Sequence, residues 1–525
     1  MPTCLTNHLA EWTLTAAAPP ADPFGAVDVD VLVTGPDART QRVPAFWAGG
    51  ATWRVRYSTP EPGRYRWGSV CSDPAQAGLH DQCGELEVGP YTGDHPLHRH
   101  GPLRVAADRR YLEHRDGTPF YWLGDTWWMG LTDRLGWPDE WDTLVADRVA
   151  KGFTLVQIVA GLYPDMPAHD PRGANEGGQA WTPGWGAVNP AWYDAADRKL
   201  LSLVAAGLTP CVVGCWGYYL PWLGVASMKR HWRHLIARYG ALPVVWCLAG
   251  EGTMPWYLST TREADAAQLK AGWSELARYV RATDPFARPL TIHPTQSGRA
   301  QVEDPALLDF DMLQTGHSDR GSLASTARLV SAAWQTEPTM PVVEGEVCYE
   351  GIGEACRQEV QRLMFWTAFL AGARGFTYGA NGLWQLNRAD RPYGASPHGM
   401  SWGGPPWPDA MALPGGGQLG LAKRLLERYA WWRCAPHPEW VDAPDTPAGG
   451  IPGELRLVYL AAGHAWNPPA LTALEPGVRY QAFLHSPVDG AEHPLGEATA
   501  DADGRWRLPL ARLPVFQDWV VVLTR

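Results

Sequence analysis

The chain has 525 residues, more than one hydrophobic core usually serves, so two or three domains are expected, one of them large. With 45% hydrophobic and 19% charged residues it falls among soluble globular sequences and not among disordered ones. A formal charge of -11 opposes a phosphate backbone and excludes nucleic acid as a partner.

No apolar run approaches the roughly 20 residues that cross a bilayer, and the opening residues lack a basic segment leading into an apolar one. No membrane contact and a cytoplasmic location are therefore expected. The 9 cysteines are odd in number and scattered through apolar stretches, as reduced buried thiols would be. Cys211 and Cys215 sit in one strand-like run without a second ligand pair, so no metal or other cofactor is expected. The 29 tryptophans are the strongest compositional signal, because indole faces stack on sugar C–H surfaces while the ring N–H bonds a hydroxyl.

In chain order, residues 1–92 show short alternating runs, Val27 to Val33, Thr52 to Tyr57 and Arg64 to Val70, separated by Pro, Gly and Asp turns. They predict a small antiparallel β-sandwich. Thr92 to Leu103, with His95, His98 and His100, has linker composition. Residues 93–435 then alternate strand-like runs with helical stretches, the rhythm of parallel βα units. The predicted strands are Phe120 to Leu123, Thr154 to Val159, Thr209 to Trp216, Val244 to Leu248, Pro289 to His293, Asp311 to Thr315, Pro341 to Val343 and Gly375 to Tyr378. Eight is the number that closes an α/β barrel of the (β/α)8 TIM type.

Helical stretches fall between them at Glu140 to Lys151, Ala191 to Ala206, Met228 to Tyr239, Glu263 to Ala282 and Glu354 to Ala373. Two long Gly-, Pro- and Trp-rich loops, Tyr163 to Asn189 and Trp384 to Gly417, have the character of functional loops. Residues 436–525 return to short strands, Glu454 to Leu460, Arg479 to Leu484, Arg505 to Leu510 and Asp518 to Thr524, predicting a C-terminal β-sandwich.

Chemistry on such a barrel sits at the C-terminal strand ends. The fourth run ends at Glu251 and the seventh at Glu346, facing each other across the mouth. Retaining glycosidases need two carboxyl groups about 5–5.5 Å apart, one protonated for the leaving oxygen and one ionised to attack the anomeric carbon. Glu251 is read as general acid/base, with Trp246 and Trp256 expected to desolvate it, and Glu346 as nucleophile. Glu344 competes for the second role, since it lies two residues earlier on the same strand face. Sugar contacts are expected from Asp125, Trp127 and Trp128 after the first strand, Trp216 after the third, His293 after the fifth, Gln314 and His317 after the sixth, and Tyr378 and Trp384 after the eighth. Capping or satisfied structural roles compete for Asp125 and for each histidine.

The run Asp116-Gly-Thr-Pro-Phe-Tyr-Trp-Leu-Gly-Asp-Thr-Trp-Trp128 resembles the apiosidase-like barrel domain, the group that includes glycoside hydrolase family 140. The similarity covers about residues 95–435, and the flanks resemble that group's N-terminal immunoglobulin-like module and C-terminal β-domain. Ala249-Gly250-Glu251 and Gly345-Glu346-Val347 resemble its acid/base and nucleophile segments. The sequence departs from the pattern in having Glu251 where the family has Asp and Val347 where it has proline. The resemblance implies exo-cleavage of a terminal sugar, a furanoside such as apiose, arabinofuranose or galactofuranose, from an oligosaccharide or small glycoside. Two alternatives stand beside it: a non-catalytic carbohydrate- or matrix-binding protein on the same scaffold, and a metal-assisted hydrolase using His98, His100, His293 and His317.

Overall fold

A computed structural model describes residues 3–510 and 512–525. Its centre is an eight-stranded parallel barrel of β1 (Trp122–Thr126), β2 (Leu155–Val159), β3 (Thr209–Val213), β4 (Val245–Cys247), β5 (Leu290–Thr291), β6 (Asp311–Gln314), β7 (Val342–Glu346) and β8 (Gly375–Tyr378). The ladder runs β5-β4-β3-β2-β1-β8-β7-β6. Between β5 and β6 the seam is stitched by Asp309 N–H to the Leu290 carbonyl (2.8 Å), Leu290 N–H to Asp309 Oδ2 (2.8 Å) and Thr291 Oγ1 to the Phe310 carbonyl (3.0 Å). The predicted runs all contain these strands or overlap them, because strands covered on both faces read as continuous apolar stretches.

Helices α1 (Asp139–Lys151), α2 (Pro190–Ala205), α3 (Tyr219–Tyr239), α4 (Arg262–Thr283), α5 (Leu323–Gln335), α6 (Gln358–Ala371) and α7 (Pro414–Leu426) surround it. The first turn of α7 is Pro-Gly-Gly-Gly, a composition that reads as loop, and its start falls inside the second predicted long loop. Burial of Leu419, Leu425 and Leu426 against the barrel compensates for the glycines.

The N-terminal region has two sheets, Thr3–Leu5/Cys83–Gly89/Gly63–Cys71/Val29–Thr34/Thr40–Pro44 and Ala10–Thr15/Thr52–Tyr57/Phe46–Trp47. All pairs are antiparallel except Thr3–Leu5 with Cys83–Gly89. Their core includes Val31, Val43, Trp53 and Val55. Arg56 fastens this region to the barrel helices through Asp197 (2.5 Å) and the Arg238 carbonyl (2.8 Å).

At the other end a six-stranded antiparallel sheet runs Ala435–Pro436, Ala448–Ile451, Leu455–Leu460, Trp519–Thr524, Arg479–His485, Glu492–Thr499. One face (Leu457, Tyr459, Val520, Val522) packs on the barrel, and the other (Val458, Leu460, Val521, Leu523) is covered by irregular chain carrying Leu471, Leu474, Leu508 and Leu513. The run Arg505 to Leu510 is therefore not a strand: Trp506 makes one bridge to Leu471, and the last hairpin partner is Glu492–Thr499, whose exposed polar residues hid it. No helix among the described residues is long and apolar enough to cross a membrane.

Candidate active site

The backbone after β4 turns sharply, and Glu251 holds a φ of 45°, a left-handed conformation unusual for a residue with a side chain. Gly250 just before it bridges Trp216; a Cβ there would lie 2.2 Å from the indole, so only glycine lets the ring lie against the backbone. Trp216 Nε1 thereby donates to Glu251 Oε2 at 3.2 Å.

On the opposite side, β6 and β7 pair Leu313 with Glu344 but Gln314 with Glu346, so β7 spends one extra residue, Gly345. The bulge breaks the alternation that would have put the two glutamates on one face, and it re-aims Glu346 into the mouth. Glu344 stays fully buried beside Thr315, whose hydroxyl bonds Thr326 of α5, and does not line the cavity. Burial holds its carboxyl well above the ordinary range.

Gln314 Nε2 donates to Glu251 Oε1 (3.3 Å) and to Glu346 Oε1 (3.1 Å). The two carboxylate oxygens thus lie no farther apart than 6.4 Å, the sum of 3.3 and 3.1 Å. His317 Nε2 is 2.8 Å from Glu346 Oε1, His293 Nε2 is 3.3 Å from Oε2, and Tyr349 donates to Oε2 at 2.5 Å while accepting from Trp128 Nε1 at 3.0 Å.

These surroundings drive the two carboxyls apart. Burial, then the nearby charge of Glu346, pushes Glu251 up to about 7. For Glu346 burial acts upward too, but the His293 and His317 imidazoles outweigh it and hold the group far below the usual carboxylate range. His317 moves up in turn: burial opposes this, and its contact with Glu346 prevails.

The cavity above the pair has a volume of about 380 Å³. Of the expected residues, Glu251, Glu346, Trp128, Trp216, Gln314, His317 and Trp384 line it, and His293 sits beneath, fully buried, against the Trp128 and Trp216 rings. Asp125, Trp127 and Tyr378 do not line it, which corrects the sequence expectation. Asp125 Oδ2 is taken by Arg148 Nε (2.5 Å) and Trp127 Nε1 (2.7 Å), facing α1; Trp127 packs edge-on against Trp141; and Tyr378 donates to Glu350. Trp246 likewise points away, bonding Asp284, and Trp256 packs on Tyr218 and Trp222 outside the lining, so neither covers Glu251; Trp216 does. The four histidines of the metal alternative are split: His98 stacks on His8 and His100 contacts Asp116 at the linker, whereas only His293 and His317 reach the mouth.

Sequence reading missed Tyr349, three residues beyond Glu346, and the clasp between the two long loops. There Asp165 accepts from Ser396 Oγ (2.7 Å) and Trp402 Nε1 (3.0 Å), and Tyr257, from the segment between β4 and α4, stacks on His398. Length and composition of the loops were the available signal; which side chains meet was not.

The family model described as "Apiosidase-like, catalytic domain" matches residues 106–433, and a domain of unknown function (DUF5060) matches residues 5–72. No curated protein matches the chain. Among solved structures, a glycoside hydrolase family 5 protein from Bacteroides vulgatus is 22% identical, with a TM-score of 0.67 over 82% of this chain and 95% of its own. A putative glycoside hydrolase from the same organism is 16% identical, with a TM-score of 0.70 over 100% of both chains, and a further glycoside hydrolase is 21% identical, with a TM-score of 0.67 over 82% of this chain and 98% of that one. These likenesses establish a shared fold. With its barrel matched over more than half of the sequence, as the Asp116 to Trp128 run led one to expect, the chain belongs to the apiosidase-like family.

Proposed function

We propose that the protein is a retaining, exo-acting glycoside hydrolase that removes a terminal sugar, a furanoside such as apiose, arabinofuranose or galactofuranose, with Glu251 as acid/base and Glu346 as nucleophile. The observation that carries this reading is the single Gln314 amide reaching both carboxylates. Two carboxyls close enough to share one amide nitrogen support the retaining reading, in which the pair stands about 5–5.5 Å apart.

In this mechanism Glu251, protonated near neutrality, gives its proton to the glycosidic oxygen as the C–O bond breaks. Glu346 Oε attacks the anomeric carbon and forms a glycosyl ester. The Glu251 carboxylate then takes a proton from water, whose oxygen displaces Glu346 and restores both groups. Tyr349 and the imidazoles keep Glu346 charged and oriented, and Trp128, Trp216 and Trp384 supply ring faces for a sugar in a cavity of about 380 Å³. Residues 93–435 are the catalytic domain in this reading, with 1–92 and 436–525 bracing it, and the substrate is a short oligosaccharide or small glycoside met in the cytoplasm.

The test is product stereochemistry: nitrophenyl α- and β-furanosides and pyranosides are offered, and the anomer released is followed by proton NMR. Retention on one of them is expected; release of the inverted anomer would overturn the double displacement.

A further inference from the structure

The N-terminal sheets and the base of the barrel enclose a second cleft, of about 480 Å³, at the end opposite the catalytic mouth. Its walls include Tyr57 and Tyr65 from the sheets, Arg115 from the junction, and Phe286 and Arg288 from the turn leading into β5. Arg288 is only 7% exposed, yet its guanidinium has no carboxylate within 4 Å among the described residues. Nε donates to the Gly240 carbonyl (2.9 Å) and the cation lies 5.3 Å over the Phe286 ring, but neither Nη group bonds any described residue.

The nearest acid, Asp284, is already engaged by Trp246 Nε1 (3.0 Å) and by the main-chain N–H groups of Phe286 and Arg288 (2.9 Å each). Arg115 faces the same cleft, exposed and without an ion pair among the described residues. Burial first, then the charge of Arg115, pushes Arg288 down to about 10, against the pull of Asp284. Of the acids in the cleft, Asp37 pairs with Arg39 (3.5 Å) and Glu61 is exposed.

Elsewhere the fold matches its buried guanidinium groups to carboxylates, as Arg56 to Asp197 and Arg148 to Asp125, or spreads them over several main-chain carbonyls, as Arg134 over those of Gln385, Leu386 and Arg391 and Arg374 over those of Phe369, Ala373 and Cys434, whereas Arg288 has a single carbonyl. A largely buried cation with both Nη groups turned to an open cleft has its desolvation cost only partly compensated by the protein. We propose that this cleft is a binding site for a small oxyanion, a carboxylate or phosphate group gripped by Arg288 and Arg115, with the body of its bearer lying along Phe286 and Tyr57. The guanidinium fork accepts either group in the same two-bond geometry.

Isothermal titration of the full chain with glucuronate, inorganic phosphate and, as neutral control, glucose tests the site. Saturable binding of one or both anions and none of glucose is expected. Glucuronate alone would point to an acidic sugar, phosphate alone to a phosphorylated ligand. Arg288→Met should weaken binding by about tenfold or more, the worth of a charge-assisted bond. Arg115→Ala, at an exposed position that folding does not depend on, should weaken it several-fold, and both variants should keep glycoside turnover. Folded wild type that binds neither anion at tens of millimolar, or anion binding unchanged in Arg115→Ala and in folded Arg288→Met, would overturn the proposal.

Discussion

At the junction with the N-terminal sheets, buried carboxylates face arginines: Asp197 accepts from Arg56 and Arg238, and Asp30 from Arg42 and Arg233. At the barrel mouth Glu251 and Glu346 face each other, and the groups around them are an amide, an indole, a phenol and two imidazoles, with no arginine among the described residues in ion-pair distance of either. The two surroundings do different work. A guanidinium is always charged and draws every nearby carboxyl down together, which suits a permanent joint. Hydrogen-bond donors and imidazoles concentrated on Glu346 hold that one group down while Glu251, desolvated beside it, stays free to rise. The mouth thus pushes one carboxyl up and holds the other down, the split that the proposed acid and nucleophile would use.

The largest expected effect comes from removing the charge that the donors serve. Glu346→Gln should reduce kcat by more than the roughly 10²–10⁴-fold assigned to a general acid, because no covalent intermediate can form. Glu251→Gln should fall within that 10²–10⁴ range, with less loss on nitrophenyl substrates, whose leaving group needs little protonation. Turnover numbers on matched nitrophenyl and alkyl glycosides check both. A Glu251→Gln loss equal on the two leaving groups would contradict its role as acid.

At the other end, Asp197→Ala leaves Arg56 and Arg238 buried without their shared acid. A loss of about 3–5 kcal/mol in unfolding free energy is expected, with kcat of the folded fraction unchanged. Urea unfolding followed by tryptophan fluorescence, together with active-site titration, separates the two readouts. If kcat falls while stability holds, the division between a structural and a catalytic end fails.

A cation can also be moved into the mouth. Gln314→Lys sets a charge between the two carboxyls and should draw Glu251 down by about 1–3 pKa units, so that the alkaline limb of kcat/KM, expected near pH 7, moves toward acid. Gln314→Leu, which removes the bridge without adding charge, should not move that limb to lower pH. Rate profiles of the two variants from pH 4 to 9 distinguish these outcomes.

Much of this was legible beforehand, for a physical reason. Parallel strands buried on both faces print as apolar runs, and the position just after each run is where a barrel presents its mouth, so the sequence alone places Glu251, Glu346, Gln314 and His317 at the cavity that they line. Asp125 and Tyr378 sat at equally suitable strand ends, but a run of letters does not disclose that α1 offers Arg148 to the first or that Glu350 waits for the second. The bulge at Gly345 escaped notice for the same reason: register belongs to two strands, and each was read alone. Helix α7 was obscured by its own glycines, since only contact with the barrel stabilises its first turn.

The smallest effect follows from the raised Glu251 and has the sign of a cost. Its carboxyl titrates near 7 in the folded protein against an ordinary value of 4.5, so between those pH values the folded state holds a proton that the unfolded chain has released. Where the unfolded state binds fewer protons, unfolding free energy falls as pH rises. Glu251 is therefore neutral for stability below about 4.5 and destabilising above about 7. Glu251→Gln keeps the shape and removes the titration. The variant should match wild type at pH 4 and exceed it at pH 8 by about 1–2 kcal/mol, less than the full shift would yield because the side chain is partly open to the solvent-filled cavity. Chemical unfolding of both proteins at the two pH values measures the difference. Equal stability at pH 8 would mean that Glu251 titrates as an ordinary carboxylate, and the mouth would then hold two charged acids instead of an acid and a nucleophile.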